Sequence, residues 1–92
     1  TGAEVSVGRK SRSRKWFPTL DLSAEPNGLT VSRRHAILFR RGVLWYVYEV
    51  PEGTVNGTYL NGQQTRPGES YVLRDGDLLR FGGVEFVFRR GP

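Results

Sequence analysis

Three short polar strings carry the residues in this chain that are best suited to chemistry. They are residues 8–9 (GR), residues 32–35 (SRRH) and residues 56–62 (NGTYLNG). They combine turn-forming backbone with small hydrogen-bonding side chains, and two of them contain arginine. A guanidinium presents a planar fork of donors that matches phosphate oxygens, while hydroxyl and backbone N–H groups can fill the remaining acceptor positions. The strings therefore indicate a loop surface that holds a phosphate dianion.

Length and composition predict one domain with a single core. The chain has 92 residues, and its modest apolar share of 37% includes five Phe, four Tyr and two Trp. These aromatic side chains bury a large area each, so a core can form without disulfides. The absence of cysteine excludes disulfides and thiolate metal sites. We expect residues 1–92 to be a single domain cut from a longer protein, because neither end looks like a natural terminus.

The charge balance favours an anionic partner. Fourteen Lys and Arg against nine Asp and Glu give a net charge of +5, and residues 9–15 hold five basic residues and two serines. We expect this segment to be an exposed loop, with Arg9 exposed at its start. It is either a solvated charged loop or a surface that attracts an acidic or phosphorylated partner.

The apolar pattern predicts strands rather than helices. Twelve glycines and five prolines separate short runs rich in β-branched and aromatic residues, and no window shows a 3.6-residue period. Asn61-Gly62 and Gly82-Gly83 are two-residue hairpin signals. The prediction is an all-β domain of two packed sheets.

The three strings, in this order, resemble the forkhead-associated (FHA) domain, a phosphothreonine-peptide-binding family. The resemblance spans residues 5–89, since residues 73–78 (LRDGDL), 81–83 (FGG) and 86–88 (FVF) look like the last strands of that fold. It implies a two-sheet β-sandwich with its binding loops at one end. The family usually has one more strand before the one predicted at Val5, so either this chain omits that strand or a neighbouring segment supplies it.

The resemblance also implies roles for individual residues. The expected phosphate-binding residues are Arg9, Ser32, Arg33 and Val55; the expected contacts to the peptide main chain are Asn56 and Arg34; the expected specificity residues are Thr30 and Val31; and the expected supports of the site are Gly8, His35, Gly57, Thr58, Asn61 and Gly62. Val55 is a departure, because many relatives have Ser or Thr there. Losing one such hydrogen bond costs about 0.5–1.5 kcal/mol, which Arg33 can offset through a stronger charge-assisted bond.

His35, the single histidine, does not predict catalysis. A general base needs a nucleophile and an orienting acid, and the sequence offers no such set, no metal-ligand cluster and no P-loop. The resemblance implies that this histidine braces the binding loops by hydrogen bonding. We therefore expect no enzyme activity, no cofactor and no metal.

Three functions from different classes remain open. The first is a phosphothreonine-dependent module that recruits partners marked by a Ser/Thr kinase, acting as a monomer. The second, less favoured, is nucleic-acid binding through the basic segment and exposed aromatic residues. The third is a structural sandwich whose phosphate site has decayed, for which Val55 is the only hint. No segment resembles a signal peptide or a membrane span, so we expect no membrane contact and a cytoplasmic location; arginine-rich usage favours a bacterial source.

Overall fold

A computed structural model of the chain describes residues 3–90. The described residues form nine strands and one short 3-10 turn, Gly28–Thr30. The strands are β1 (Glu4–Gly8), β2 (Leu20–Asp21), β3 (Arg34–Arg41), β4 (Leu44–Glu49), β5 (Thr58–Leu60), β6 (Gln63–Gln64), β7 (Ser70–Leu73), β8 (Leu78–Phe81) and β9 (Val84–Val87). Among residues 3–90 there is no helix with the length and apolar character that crossing a membrane requires.

The strands form two sheets. One has the order β2-β1-β3-β4-β7 and the other the order β6-β5-β8-β9. All neighbouring strands are antiparallel except β1 and β2, which are parallel. The predicted all-β, two-sheet fold is therefore confirmed.

The core lies between the sheets. Val7 on β1 and Val47 on β4 are fully buried on one side, and Leu79 and Phe81 on β8 are buried on the other. Alternate residues of a strand point to opposite faces, so each strand contributes every second side chain to this layer. Trp45 on β4 is partly buried and packs against the core.

The antiparallel order brings one set of connections to the same end of the sandwich. The C-terminal ends of β1 and β4 lie beside the N-terminal end of β3, as Val7 pairs with Ala36 and Ala36 with Glu49. In the other sheet, Thr58 at the start of β5 pairs with Phe81 at the end of β8. The segments after β1, before β3, after β4 and after β8 consequently meet at one end, and we call it the loop end.

Gly8 determines how the chain leaves β1 at the loop end. The β1–β3 register shifts between Val7 and Gly8, and a Cβ on Gly8 would lie 1.8 Å from the carbonyl oxygen of Arg33. That oxygen belongs to the backbone and cannot turn aside as a flexible side chain can. Only glycine permits this close approach, which places Arg9 directly against the 32–35 string.

Candidate functional site

Arg9 is fixed against the segment before β3. Its Nε donates a hydrogen bond to the carbonyl oxygen of Val31, and its backbone N–H donates to that of Arg33 at 3.1 Å. Its side chain is half-buried, not exposed as the sequence suggested. Within the described part of the chain, the two terminal amino groups of its guanidinium have no protein acceptor, so they can bind an external anion.

Asn56 is hydrogen-bonded to the same segment as Arg9. Its Nδ2 donates to the carbonyl oxygen of Thr30 at 2.9 Å, and its side chain is exposed. Arg9 and Asn56, which are far apart in sequence, thus bond to consecutive carbonyl groups, those of Val31 and Thr30. This places a guanidinium and a carboxamide at one opening of the loop end.

The segment that carries these two carbonyl groups is itself held in place. Asn27 adopts a left-handed conformation at φ 66° and begins the 3-10 turn. The Thr30 hydroxyl donates to the Asn27 carbonyl at 2.6 Å and accepts from the Gly83 N–H at 2.7 Å. Thr30, expected to read the peptide, therefore uses its hydroxyl to join this turn to the β8–β9 connection.

Val31 does not fit the specificity role expected of its side chain. The side chain is 1% exposed and belongs to the core. Only its carbonyl group faces the site, where it accepts the bond from Arg9. Val31 thus anchors the segment before β3 to the core.

His35 connects the two sheets beneath the site. It is fully buried; its Nδ1 accepts from the Ser32 N–H at 3.0 Å, and its Nε2 lies 3.0 Å from the carbonyl oxygen of Gly57. These bonds assign the neutral tautomer with the proton on Nε2. Burial lowers the pKa of His35 below its usual value, against the smaller opposing effects of the Gly57 carbonyl and the Glu49 carboxylate.

The 32–35 string presents its residues in different directions. Ser32 is half-buried with its N–H engaged by His35, and Arg33 is exposed. Arg34, expected on the peptide main chain, has its guanidinium 3.9 Å from the ring centroid of Trp16. The structure thus brings Arg9, Ser32, Arg33 and Asn56 to one region, while Arg34 stacks on an aromatic ring beside it.

Comparison with known proteins identifies the family. The sequence model of the FHA domain matches residues 5–82. The chain belongs to the FHA domain family. It is 42% identical over 91 residues to the glycogen accumulation regulator GarA of Mycolicibacterium smegmatis, covering 99% of this chain and 53% of GarA. It is 43% identical over 63 residues to the oxoglutarate dehydrogenase inhibitor of Corynebacterium jeikeium, covering 68% of this chain and 40% of that protein.

Solved structures agree with the sequence relatives. An FHA domain studied for phosphothreonine-dependent interactions superposes with a TM-score of 0.75 at 26% identity, over 98% of this chain and 79% of its own. The chain spans about a quarter to a half of the length of the curated relatives that it matches.

In this FHA domain the loop between β4 and β5 is organised by two residues that sequence reasoning missed. The Thr54 hydroxyl accepts from the Gly57 N–H at 3.0 Å, and Oε2 of Glu49 accepts from the Thr54 N–H at 3.1 Å. Glu49 is 2% exposed, at the end of β4. The sequence signal for these contacts was Glu49, a single carboxylate at the end of an apolar strand and five residues before Thr54.

The residues around Gly57 divide between surface and interior. Val55 is 92% exposed, and its side chain has no hydrogen-bonding group to offer a phosphate. Gly57 has φ 79°, a left-handed conformation that favours glycine, and its carbonyl accepts from the Gly82 N–H as well as from His35. Thr58 is fully buried, so its side chain supports the fold and does not reach the surface.

Asn61 and Gly62, expected to support the site, lie at the far end of β5 from it. The Asn61 carboxamide donates to Asp77 at 3.0 Å and accepts from the Leu78 N–H at 2.9 Å. It therefore stabilises the turn before β8 and the β5–β6 hairpin. Asn61-Gly62 does form the turn that the sequence predicted. Because β5 lies between the two Asn-Gly pairs, Asn61-Gly62 is at the opposite end of that strand from the loop end.

Trp16 is the third residue that sequence reasoning missed. Ser11 and Trp16 exchange backbone hydrogen bonds of 2.8 and 2.9 Å, which closes the basic segment into a hairpin. The Trp16 indole N–H then donates to the carbonyl oxygen of Arg33 at 2.7 Å. The basic segment, expected as an exposed loop, is largely exposed but is also attached to the site through Trp16. The tryptophan directly after the last basic residue was only a weak signal for this attachment.

Proposed function

We propose that this chain is a phosphothreonine-dependent interaction module that recruits proteins phosphorylated by Ser/Thr kinases and does no chemistry itself. The observation that carries the proposal is the bonding of Arg9 and Asn56 to the adjacent carbonyl groups of Val31 and Thr30. It leaves a cation and a carboxamide facing one opening. Membership of the FHA family supports the same function.

The phosphate is bound chiefly by Arg9. A phosphothreonine carries about −1.5 to −2 charges at neutral pH and three acceptor oxygens. The terminal amino groups of Arg9 donate to two of these oxygens, and the Ser32 hydroxyl and the Arg33 guanidinium supply the remaining donors. Because the Arg9 Nε is already bound to Val31, little side-chain freedom is lost when the phosphate binds.

Asn56 binds the peptide main chain beside the phosphothreonine. Its carboxamide can donate and accept at once, so it can engage both the N–H and C=O groups of an extended peptide. The bond to Thr30 orients it toward the Arg9 opening. Val55 contributes no hydroxyl, so Arg33 donates more of the hydrogen bonds to the phosphate than it would if residue 55 were Ser or Thr.

The geometry of His35 supports a binding role over an enzymatic one. Both ring nitrogens are engaged inside the protein, and the side chain is fully buried. A general base must reach the proton that it abstracts, which this residue cannot do from beneath the loops.

We further propose that the domain acts as a monomer within a longer bacterial protein, inside the cell. Its curated relatives include bacterial proteins named as a regulator and as an inhibitor, and each is longer than this chain. Phosphothreonine produced by cytoplasmic kinases would be the mark that it reads.

Fluorescence anisotropy with three labelled versions of one peptide tests the function. The peptides carry phosphothreonine, phosphoserine or unmodified threonine, and a single-stranded oligonucleotide serves as the nucleic-acid control over a salt series. The phosphothreonine peptide should bind about tenfold more tightly than the phosphoserine peptide, because a fitted pocket gains about 1–3 kcal/mol from one methyl group. Equal binding of the unmodified peptide, or tighter and steeply salt-dependent oligonucleotide binding, would contradict the proposal.

A further inference from the structure

A second basic surface lies beside the Arg9 opening. Arg14, Trp16, Arg33, Arg34 and Glu52 line a cleft of about 360 Å³, and we call it the basic cleft. It combines the basic hairpin after β1, the start of β3 and the loop between β4 and β5. Only Arg33 belongs to both this cleft and the proposed phosphate site.

The basic cleft is preorganised around the Trp16 ring. The ring is fixed by its indole bond to Arg33 at 2.7 Å and by the backbone bonds between Trp16 and Ser11. The guanidinium of Arg34 lies 3.9 Å over the ring. An arginine stacked through its face keeps its N–H groups at the edge, where they remain available to an anion.

The charge of the basic cleft is not balanced by the protein. Its lining holds three arginines and a single carboxylate, that of Glu52. Within residues 3–90 the only ion pair shorter than 4 Å is between Arg89 and Asp75, elsewhere on the domain. Three arginines around one cleft, none of them in an ion pair with a carboxylate of residues 3–90, favour an external anion with more than one negative charge.

The basic cleft and the Arg9 opening are connected through one atom. The carbonyl oxygen of Arg33 accepts both the backbone N–H of Arg9 and the indole N–H of Trp16. Trp16 in the basic cleft and Arg9 in the phosphate site are therefore direct neighbours. A single short peptide can reach both.

We propose that the basic cleft binds a second phosphate group on the same peptide, so that the domain prefers doubly phosphorylated partners. This inference rests on the proposed function, because the first phosphothreonine must occupy the Arg9 opening. A phosphate dianion suits the cleft better than a carboxylate does, since it can accept from several guanidinium groups at once.

Matched peptides test the second phosphate. One carries phosphothreonine alone; others add a phosphoserine, or a glutamate at the same place, about two to four residues before or after it, as an extended chain advances about 3.3 Å per residue. At physiological salt the second phosphate should tighten binding about tenfold at one of these spacings. Glutamate at the same position should tighten binding by at most about threefold, as expected for an exposed single charge.

Arg14→Ala and Arg12→Ala form the matched pair of variants. Both residues are exposed in the same hairpin and carry the same charge, but only Arg14 lines the cleft. Arg14→Ala should remove most of the gain from the second phosphate and leave affinity for the singly phosphorylated peptide unchanged. Arg12→Ala should keep the gain.

Three outcomes would overturn the inference. These are no gain at any spacing, an equal gain from glutamate, and equal losses in the two variants, which would mean diffuse attraction. If the singly phosphorylated peptide does not bind at all, the proposed function fails, and the inference fails with it. If it binds and the second phosphate adds nothing, only the inference fails.

Discussion

Replacing His35 with alanine should destabilise the domain strongly while altering its intrinsic peptide affinity little. The substitution leaves the partly buried Ser32 N–H without its partner and removes one of the two hydrogen bonds to the interior Gly57 carbonyl, which still accepts from the Gly82 N–H. It also removes the edge-to-face contact with Phe81 at 5.7 Å. The orphaned Ser32 N–H costs about 1–3 kcal/mol, less where water reaches it, and the lost bond to Gly57 costs about 0.5–1.5 kcal/mol. With the lost aromatic contact, worth about 0.5–1.5 kcal/mol, we expect a total loss of about 2–4 kcal/mol.

This loss is large for a domain of this size. Total stabilities are about 5–15 kcal/mol, and in a domain of 60–100 residues each kilocalorie shifts the melting temperature by about 4–8 °C. Urea unfolding and thermal melting of wild type and His35→Ala measure the effect, and peptide affinity is then measured well below the melting transition. An unchanged melting temperature together with abolished binding would refute the reasoning and make His35 a direct ligand.

Three further predictions concern stability, pH and affinity. Gly8→Ala should lower the free energy of unfolding, measured in urea, by about 3 kcal/mol or more, because the new Cβ would meet the Arg33 carbonyl. The control Gly42→Ala, in open space at φ 62°, should lower it by only about 1–2 kcal/mol. Stability should fall as pH drops below about 6.5, by up to about 1.4 kcal/mol per pH unit, since unfolded His35 binds a proton that buried His35 does not; a flat profile between pH 7 and 5 would contradict this. Val55→Thr should tighten phosphothreonine-peptide binding by up to about tenfold in a titration if the new hydroxyl reaches the phosphate, and unchanged affinity would place residue 55 outside the phosphate contact.

The fold could be predicted from sequence because its signals are local. Short apolar runs separated by glycine, proline and Asn-Gly pairs indicate strands and hairpins wherever the strands later pair. The order of the three polar strings then suggested one family, and the family fold is the one observed. The basic segment was harder, because a single tryptophan at its end gave little sign of the Ser11–Trp16 pairing.

The details of the site could not be predicted because they depend on contacts between distant segments. Nothing local in the sequence shows that Arg9 bonds to Val31 or that Asn56 bonds to Thr30. The same limit explains Val31, whose burial depends on the other sheet, and Arg34, whose direction depends on Trp16. Residue types suggested the chemistry, whereas tertiary packing decided which groups face the opening.

The role of Arg9 as the main phosphate ligand is tested most directly by titrating one singly phosphorylated phosphothreonine peptide against Arg9→Ala, Arg9→Lys and Arg12→Ala. Thermal melts accompany the titrations, because Arg9 also braces Val31. Both Arg9 variants should lose about a hundredfold or more in affinity while remaining folded, because neither alanine nor lysine offers the bidentate fork. Arg12→Ala should lose little, and only at low salt. Similar small losses in all three would show diffuse charge attraction and contradict the phosphate site.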